Sequence, residues 1–466
     1  MRRATSLLFT TASEPLLDLR ISLSACSTAP STALPSMSRS LRLSRAPTSP
    51  SLLYAGALKL ESRLMEVKLI YAQAPESAVG VKRPGYRNVV ALGFVSFFTD
   101  MSTEMILGVL PVYLVEELGA TRAVLGVIEG LAELSNYVFR MISGAISDKV
   151  GRRKPFVFAG YLISSVAKPL FAAATSWLDA LAVRVMDRVG KGVRTSPRDA
   201  LISQSIREEE AGKAFGIHRT LDQLGAVLGP LLAFALIPLV GVRMVFVASF
   251  IPALAALAVL AALVVEVRTP PRESRPLEGL GRVMRGRFLH LLLALAIFNL
   301  GAYNFSFVLV RAREMGVAVL AAPLIYMLLN LTHTAMGMPS GLLADRVGRE
   351  KTLLLSMIVF AATSLMLAYL TGGWAYGVAI ALAFGAFQGI YDTVSRAVVP
   401  RYVPEELRGT AYGAYYLVVG ASMLAGMTII GELWDSLGRV VAFTYSACLA
   451  LASAALLYAT VIRSSS

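Results

Sequence analysis

Apolar stretches that are long enough to cross a membrane recur along the chain from Asn88 onward. Each covers about 20 residues, the length that an α-helix needs to span a hydrocarbon core of about 30 Å. Glycine, proline or charged turns separate the stretches, and the length rule predicts about twelve spans. Many stretches contain polar residues, which is typical of helices that line a wet cavity. The pattern predicts an all-α membrane protein.

The composition and the placement of charge agree with this prediction. Of the 466 residues, 56 % are hydrophobic and 16 % are charged, whereas a soluble protein has about 25 % charged residues. The formal net charge is +14, but the cations cluster in alternate loops, for example in residues 149–154 and 346–351. This alternation is the positive-inside pattern. We therefore expect a plasma-membrane protein with both termini in the cytoplasm and no nucleic-acid partner.

One short sequence occurs twice in the chain. It reads GAISDKVGRRK in residues 144–154 and GLLADRVGREK in residues 341–351. The positions that the copies share are Gly144 with Gly341, Asp148 with Asp345, Gly151 with Gly348, and Arg152 with Arg349. A second pair of similar segments, residues 208–216 and 405–413, precedes the fifth and the eleventh span. Two repeats at equivalent places indicate a duplicated chain.

The repeated turn resembles that of the major facilitator superfamily, which carries it between helices 2 and 3 and again between helices 8 and 9. The resemblance covers about residues 88–462. It implies two pseudo-symmetric six-helix bundles with a solute site between them near mid-membrane. It also implies that the matched turn residues are gates, which support a conformational change and bind no cargo.

The same reading divides the chain into domains. The N-terminal bundle covers residues 88–266, a cytoplasmic linker covers residues 267–287, and the C-terminal bundle covers residues 288–462. Residues 1–80 are rich in serine, threonine, arginine and proline and have no sustained apolar run. We expect them to be a disordered tail or a segment that precedes the true start of translation.

Ionisable residues inside the spans are the candidates for chemistry, because a charge within a membrane is costly. Asp100 lies about 18 Å along span 1, which enters near Asn88, and Glu104 lies one turn deeper on the same helix face. Glu133 on span 2 and Asp222 on span 5 complete a set of four carboxyl groups. Carboxyl groups out of water can exchange protons near neutral pH. The set predicts a proton-coupling network, with purely structural ion pairing as the alternative.

Polar residues on other spans are candidates for contact with a solute. Arg184 and Arg188 lie about 10 to 17 Å along span 4 and would clamp an anionic solute. Amides and phenols of the second half can hydrogen-bond a solute without selecting for charge, and they are Asn299, Tyr303, Asn330 and Gln388. Such groups also bridge helices in membranes, so each has a structural alternative.

Span 5 contains the sequence Gly225-Ala-Val-Leu-Gly229-Pro230. It matches the core of the superfamily's antiporter motif, although the end of that motif is replaced by other residues. The partial match favours export in exchange for protons. Small residues at this spacing also allow close helix packing, which explains them nearly as well.

The sequence indicates no enzyme and no cofactor. The two cysteines and three histidines show no spacing of metal ligands, and the chain has no phosphate-binding loop. We expect a monomeric secondary transporter that moves a small solute by alternating access, with protons and the lipid bilayer as further partners. Proton-coupled export is the first expectation. An uptake carrier or exchanger for an anionic metabolite is the alternative, and a non-transporting receptor or scaffold is a remote one.

Overall fold

The computed structural model describes residues 84–270 and 279–463. The tail predicted in residues 1–80 and part of the predicted linker lie outside these residues. Within them the chain forms fifteen α-helices and no strand. The helices are α1 (Tyr86–Leu107), α2 (Leu110–Glu116), α3 (Arg122–Val150), α4 (Lys154–Leu170), α5 (Trp177–Ser205), α6 (Ala211–Ala248), α7 (Phe250–Leu263), α8 (Leu280–Val283), α9 (Gly286–Leu300), α10 (Phe305–Glu314), α11 (Ala322–Val347), α12 (Arg349–Tyr369), α13 (Trp374–Val394), α14 (Arg408–Leu437) and α15 (Arg439–Leu457).

Twelve membrane crossings follow from these helices. Nine helical stretches among the described residues are long and apolar enough to span a bilayer. One of them, Glu208–Leu263, has 56 residues, and Gly241 breaks it with a φ of 77°, so it crosses twice. Helices α3 and α5 have 29 residues each and are long enough to cross, but they are rich in charge. The prediction of an all-α membrane protein with about twelve spans is confirmed.

We number the crossings as spans in chain order. Span 1 is α1 with α2, spans 2 to 4 are α3 to α5, and spans 5 and 6 are the parts of α6 and α7 before and after Gly241. Span 7 is α9 with α10, and spans 8 to 12 are α11 to α15. Helix α8 is a short connection between the two halves.

The two halves pack alike. In the first half, span 1 lies along spans 5 and 6, and span 4 lies along spans 2 and 3. In the second half, span 7 lies along spans 11 and 12, and span 10 lies along spans 8 and 9. The halves meet where span 2 packs on span 11 and where span 5 packs on span 8. This set of contacts is unchanged when the halves are exchanged, which confirms two pseudo-symmetric six-helix bundles.

The glycines of the antiporter-like motif lie against the backbone of span 1. A Cβ atom at Gly229 would be 2.6 Å from the carbonyl oxygen of Met101, and one at Gly225 would overlap the carbonyl oxygen of Phe97. Real Cβ atoms essentially never come within 3.0 Å of another group. These glycines, followed by the buried Pro230, therefore allow close packing of span 5 on span 1.

Both repeated turns lie at the end of the bundle where the described chain begins and ends, which we call the terminal face. The opposite end is the distal face. Gly151 ends α3 with a φ of 69°, and Gly348 separates α11 from α12 with a φ of 100°. Glycine adopts this left-handed backbone without strain, which explains its presence in both copies. The second pair of repeats forms one 3₁₀ turn before span 5 and one before span 11, at Glu208–Glu210 and Glu405–Leu407.

Candidate functional site

The contacts between the halves end before the terminal face, and we infer that a cavity opens between the halves on that side. Span 2 follows span 11 from Gly126, which faces the backbone of Met427, to Tyr137, whose ring stacks on that of Tyr416 at 5.4 Å. Arg140 lies over the same Tyr416 ring at 5.2 Å. Nearer to the terminal face, no hydrogen bond between described residues joins spans 2 and 11, and span 2 exposes the side chains of Ile142, Ile146 and Val150.

Ion pairs close the cavity at the distal face, and we call them the distal seal. Arg122 at the start of span 2 lies 2.8 Å from Glu314 and 3.5 Å from Asp435 in the other half. Asp435 also accepts a hydrogen bond from the backbone N–H of Ala123 at 2.8 Å. Arg313 and Glu116 form another pair across the halves at 2.7 Å. Sequence reasoning missed this seal because its members are scattered single charges far apart in the chain.

A fully buried charge cluster lies between spans 2 and 4. The Nη2 atom of Arg184 donates to Glu129 at 2.8 Å, and Nη1 lies 3.6 Å from Asp187. Arg184 is 1 % exposed and Glu129 is 0 % exposed. Ser164 donates a further hydrogen bond to Asp187 at 2.5 Å. Arg184, predicted as a cavity residue, thus has two acid partners and no free surface, which favours its structural alternative.

Asn304 connects this cluster to the other half. Its amide nitrogen donates to Glu129 at 2.9 Å, and its side-chain oxygen accepts from the backbone N–H of Ser306 at 3.0 Å. The second bond caps α10 at the point where span 7 is interrupted between Leu300 and Phe305. Neither Glu129 nor Asn304 was among the predicted site residues. The spacing of four between Glu129 and Glu133 on span 2 was the available signal.

Arg188 and Glu133 form an ion pair at the wall of the cavity. Arg188 Nη2 lies 3.2 Å from Glu133, whose carboxylate also accepts from Asn136 at 3.3 Å. The Arg188 side chain is 5 % exposed and that of Glu133 is 17 % exposed. Glu133, predicted for proton coupling, and Arg188, predicted for contact with a solute, are therefore partners in one ion pair.

Asp100 and Asp222 come together from spans 1 and 5. Their carboxyl groups are within hydrogen-bonding reach of each other, and Arg219 donates to Oδ2 of Asp222 at 3.0 Å. An ionised carboxylate only accepts hydrogen bonds, so a bond between two carboxyl groups requires that one of them carry a proton. The pair can therefore store one proton. Among the described residues, no group of three histidine, cysteine, aspartate or glutamate side chains could hold a metal ion.

Glu104 joins the two halves through neutral donors. Asn330 on span 8 donates to Glu104 at 3.3 Å and to the carbonyl oxygen of Ala226 on span 5 at 3.5 Å. Tyr326, one turn before Asn330, lies close enough to Glu104 to interact with its carboxyl group. Glu104 and Asn330 were predicted in different roles, and the fold brings them into contact.

The other predicted polar residues of the second half differ in their surroundings. Tyr303 is 3 % exposed, donates to or accepts from Ser364 at 3.0 Å and packs among aromatic rings. Asn299 donates to the carbonyl oxygen of Leu295 at 2.7 Å and to Tyr391 at 3.4 Å. Both have the contacts of structural bridges. The side-chain oxygen of Gln388 has no hydrogen-bond partner among the described residues.

The first repeated turn is held by charges within its own half. Asp148 pairs with Arg153 at 2.5 Å, and Glu266 accepts from the backbone N–H groups of Arg153 and Lys154 at 2.9 and 3.0 Å. A Cβ atom at Gly144 would be 2.6 Å from the hydroxyl of Ser196 on span 4. The turn therefore ties spans 2, 3, 4 and 6 together.

The second repeated turn uses a different residue for the same purpose. Glu350 stands where the first copy has Arg153, and it pairs with Arg401 at 2.9 Å. Tyr402 donates to Glu350 at 2.6 Å, and burial together with this bond raises the pKa of Tyr402. Arg349 donates to the carbonyl oxygen of Ala397 at 2.7 Å. Of the remaining members of the two turns, Arg152 and Asp345 are exposed, and Gly341 is half-buried within α11.

Comparison with known proteins identifies the family. The sequence matches the profile of the Major Facilitator Superfamily over residues 92–332 and 289–465. It is 33 % identical over 378 residues to an uncharacterized MFS-type transporter of Methanocaldococcus jannaschii, and the match covers 80 % of this chain and 94 % of that protein.

Solved structures share the fold at low sequence identity. The nucleoside transporter NupG has a TM-score of 0.67 and 14 % identity, over 80 % of this chain and 99 % of NupG. The peptide transporter POT in complex with alafosfalin has a TM-score of 0.70 and 14 % identity, over 83 % of this chain and 97 % of POT. Together with the repeated turns and the twelve spans, these matches establish that the chain belongs to the Major Facilitator Superfamily and is a secondary transporter of a solute.

Proposed function

We propose that this protein is a proton-coupled transporter of the plasma membrane. The positive-inside pattern supports a cytoplasmic position for the terminal face. The cavity then opens to the cytoplasm while the distal seal closes the outside, which is the inward-open state of an alternating-access cycle. The outward-open state would separate the distal seal and bring the repeated turns of the two halves together.

The hydrogen bond between Asp100 and Asp222 carries the proposal of proton coupling. In this proposal the two carboxyl groups share a proton. They lie on spans 1 and 5, and span 5 packs against span 8 of the other half. Release of the shared proton would leave two neighbouring negative charges, which repel each other. The protonation of the pair is thereby coupled to the packing of span 1 on span 5, and through span 5 to the interface between the halves.

Glu104 extends this coupling across the interface. Its partners Asn330 and Tyr326 both belong to span 8, so a change in the charge of Glu104 alters a contact that must break when the halves move. The ion pair of Arg188 with Glu133 and the buried cluster around Arg184 hold the first half rigid against this movement.

The direction of transport has two candidates. Export in exchange for protons, the first expectation from the sequence, rests on the glycines of span 5. Those glycines pack against Phe97 and Met101. This packing role explains their presence equally well in an exporter and in an uptake carrier. Uptake of an anion together with protons is the second candidate, and the charge balance of the cavity favours it.

The function is tested in everted membrane vesicles that carry a proton gradient across the membrane. A panel of organic anions, organic cations, sugars and nucleosides is added, and the gradient is followed by the fluorescence of a pH-sensitive dye. We expect at least one compound to change the gradient with the wild type, and we expect Asp100→Asn to abolish that change. Dissipation of the proton gradient by an added solute would indicate exchange of the solute for protons. Cotransport moves protons in the same direction as the solute, so it would change the gradient with the opposite sign. A gradient that no solute changes would contradict proton coupling.

A further inference from the structure

Most charged side chains around the cavity have a partner of opposite sign. Those pairs are Arg188 with Glu133 at 3.2 Å, Arg140 with Asp199 at 3.6 Å, Arg219 with Asp222 at 3.0 Å, and His333 with Asp392 at 3.3 Å. The acids of the cavity wall are thus largely occupied. Any cation that remains without a partner is available to a solute.

Lys191 on span 4 is such a cation. It is partly exposed, and none of the hydrogen bonds or ion pairs between described residues involves its ammonium group. It lies 14 residues after the start of α5 at Trp177, about 21 Å along the helix and therefore well inside the membrane. An ammonium group at this depth is costly unless an anion compensates it.

The groups that face Lys191 do not neutralise it directly. Asp100, Glu104 and Glu133 are within electrostatic range on spans 1 and 2, as are Arg188 and Arg194 on its own span. Asp100 lies within hydrogen-bonding reach of Asp222 on span 5, with which it shares a proton in the proposed function, and Glu133 is held by Arg188. Glu104 is bound by the neutral donors of span 8.

Arg396 provides a second cation nearer to the mouth of the cavity. It follows the end of α13 in the other half, and its charge is within range of the Asp392 carboxylate and of Tyr137, Tyr415 and Tyr416. Its neighbour Asp392 pairs with His333, and no ion pair between described residues involves the guanidinium group of Arg396. Arg396 lies past the terminal-face end of its span, whereas Lys191 lies near the middle of span 4, and positive charge at these two depths would concentrate anions in the cavity.

We propose that the transported solute is a small organic anion whose anionic group binds the ammonium of Lys191, an inference that rests on the proposed transport function. Arg396 attracts the anion at the mouth. Tyr137 and Tyr416, whose rings stack on each other, supply ring edges and hydroxyl donors to the body of the solute.

This site couples the anion to the proton. When Asp100 loses its proton, its carboxylate becomes an alternative partner for Lys191 and competes with the solute. When the pair of Asp100 and Asp222 holds its proton, Lys191 is available and the cavity is more positive. Proton and anion therefore bind cooperatively, so cotransport follows, and anion affinity rises as the pH falls.

The test measures equilibrium binding to the purified full-length protein by scintillation proximity at an acidic and an alkaline pH. The probes are radiolabelled lactate, succinate and benzoate, with uridine as the neutral reference and tetraphenylphosphonium as the cationic one. We expect at least one of the three anions to bind and to bind more tightly at the acidic pH. In Lys191→Gln its affinity falls by about 10- to 100-fold, the size expected for one charged hydrogen bond.

Two variants control for folding and for unspecific charge effects. Lys191→Arg keeps the positive charge and should keep most of the anion binding. Lys213→Gln removes an exposed lysine that lies over the ring of Tyr86, away from the cavity, and should bind as the wild type does. Binding of tetraphenylphosphonium or uridine but of no anion would overturn the proposal, as would binding of no anion at all or anion binding that Lys191→Gln leaves unchanged.

The outcomes separate this inference from the proposed function. If tetraphenylphosphonium or uridine moves protons in vesicles while no anion binds, the protein is proton-coupled and the anion inference is wrong. If an anion binds through Lys191 but no solute changes the proton gradient, the anion site stands and the proton coupling is wrong.

Discussion

Replacing Arg184 with glutamine is expected to lower the free energy of unfolding by about 3 to 5 kcal/mol, the cost of breaking a buried ion pair by removing one partner. Arg184 is 1 % exposed and lies between Glu129 and Asp187. Without it, Glu129 loses its ion-pair partner in a site that excludes water, while Asp187 keeps Lys168 and Arg188 within electrostatic range. The measurement is the apparent melting temperature of the detergent-purified protein, followed by its yield in membranes.

An exposed ion pair of the same kind serves as the control. Arg408 lies 3.5 Å from Glu405, and their side chains are 46 % and 83 % exposed. We expect Arg408→Gln to change stability by less than about 1 kcal/mol, because solvent screens such pairs. Equal melting temperatures for the two variants would contradict a structural role for the buried cluster and would return Arg184 to the set of solute-binding residues.

Reversing the charge of Arg122 is expected to open the distal seal. Arg122→Glu replaces attraction to Glu314 and Asp435 by repulsion among three acids. The seal is about one third exposed, so we expect a shift of about 2 kcal/mol, roughly 30-fold in the ratio of the two states. A transporter that no longer closes on the distal side loses its transport rate by a similar factor.

The measurement is the distance between spin labels attached at Glu117 and Ser436, which lie on the two halves at the distal face. The native cysteines are replaced by serine beforehand. We expect a longer distance in Arg122→Glu than in the wild type, and a return toward the wild-type distance when Asp435→Arg is added. An unchanged distance would mean that spans 2 and 11 stay closed without the ion pairs, through the packing of Gly126 and Gly431 alone.

The fold could be predicted from the sequence to a large extent, because its determinants are local. Twenty-residue apolar stretches fix the spans, and the glycines at Gly151 and Gly348 fix the turns that occur once in each half. Even the two polar helices α3 and α5 were predicted as spans, since their charges recur at helical spacing. The duplication was visible for the same reason, as two short sequences at equivalent places.

The site was predicted only in part, since its contacts join residues far apart in the chain. Asp100 and Glu104 were identified by their depth on one helix, but the hydrogen bond to Asp222 and the contact with Asn330 depend on how spans 1, 5 and 8 pack. Arg184 and Arg188 have the same signal in the sequence, yet only Arg188 lies at the cavity wall. The distal seal had no signal at all, because single surface charges are common in loops.

The proposal that Asp100 and Asp222 share a proton is tested most directly by infrared spectroscopy of the reconstituted protein at neutral pH, with the spectrum of each variant subtracted from that of the wild type. This measurement needs no solute. The carbonyl stretch of a protonated carboxylic acid is separate from the bands of a carboxylate. We expect the wild type to show this stretch, and we expect Asp100→Asn and Asp222→Asn each to lose it, while Glu104→Gln retains it. A wild-type spectrum without the band, or a band that survives in both aspartate variants, would contradict the account of proton coupling.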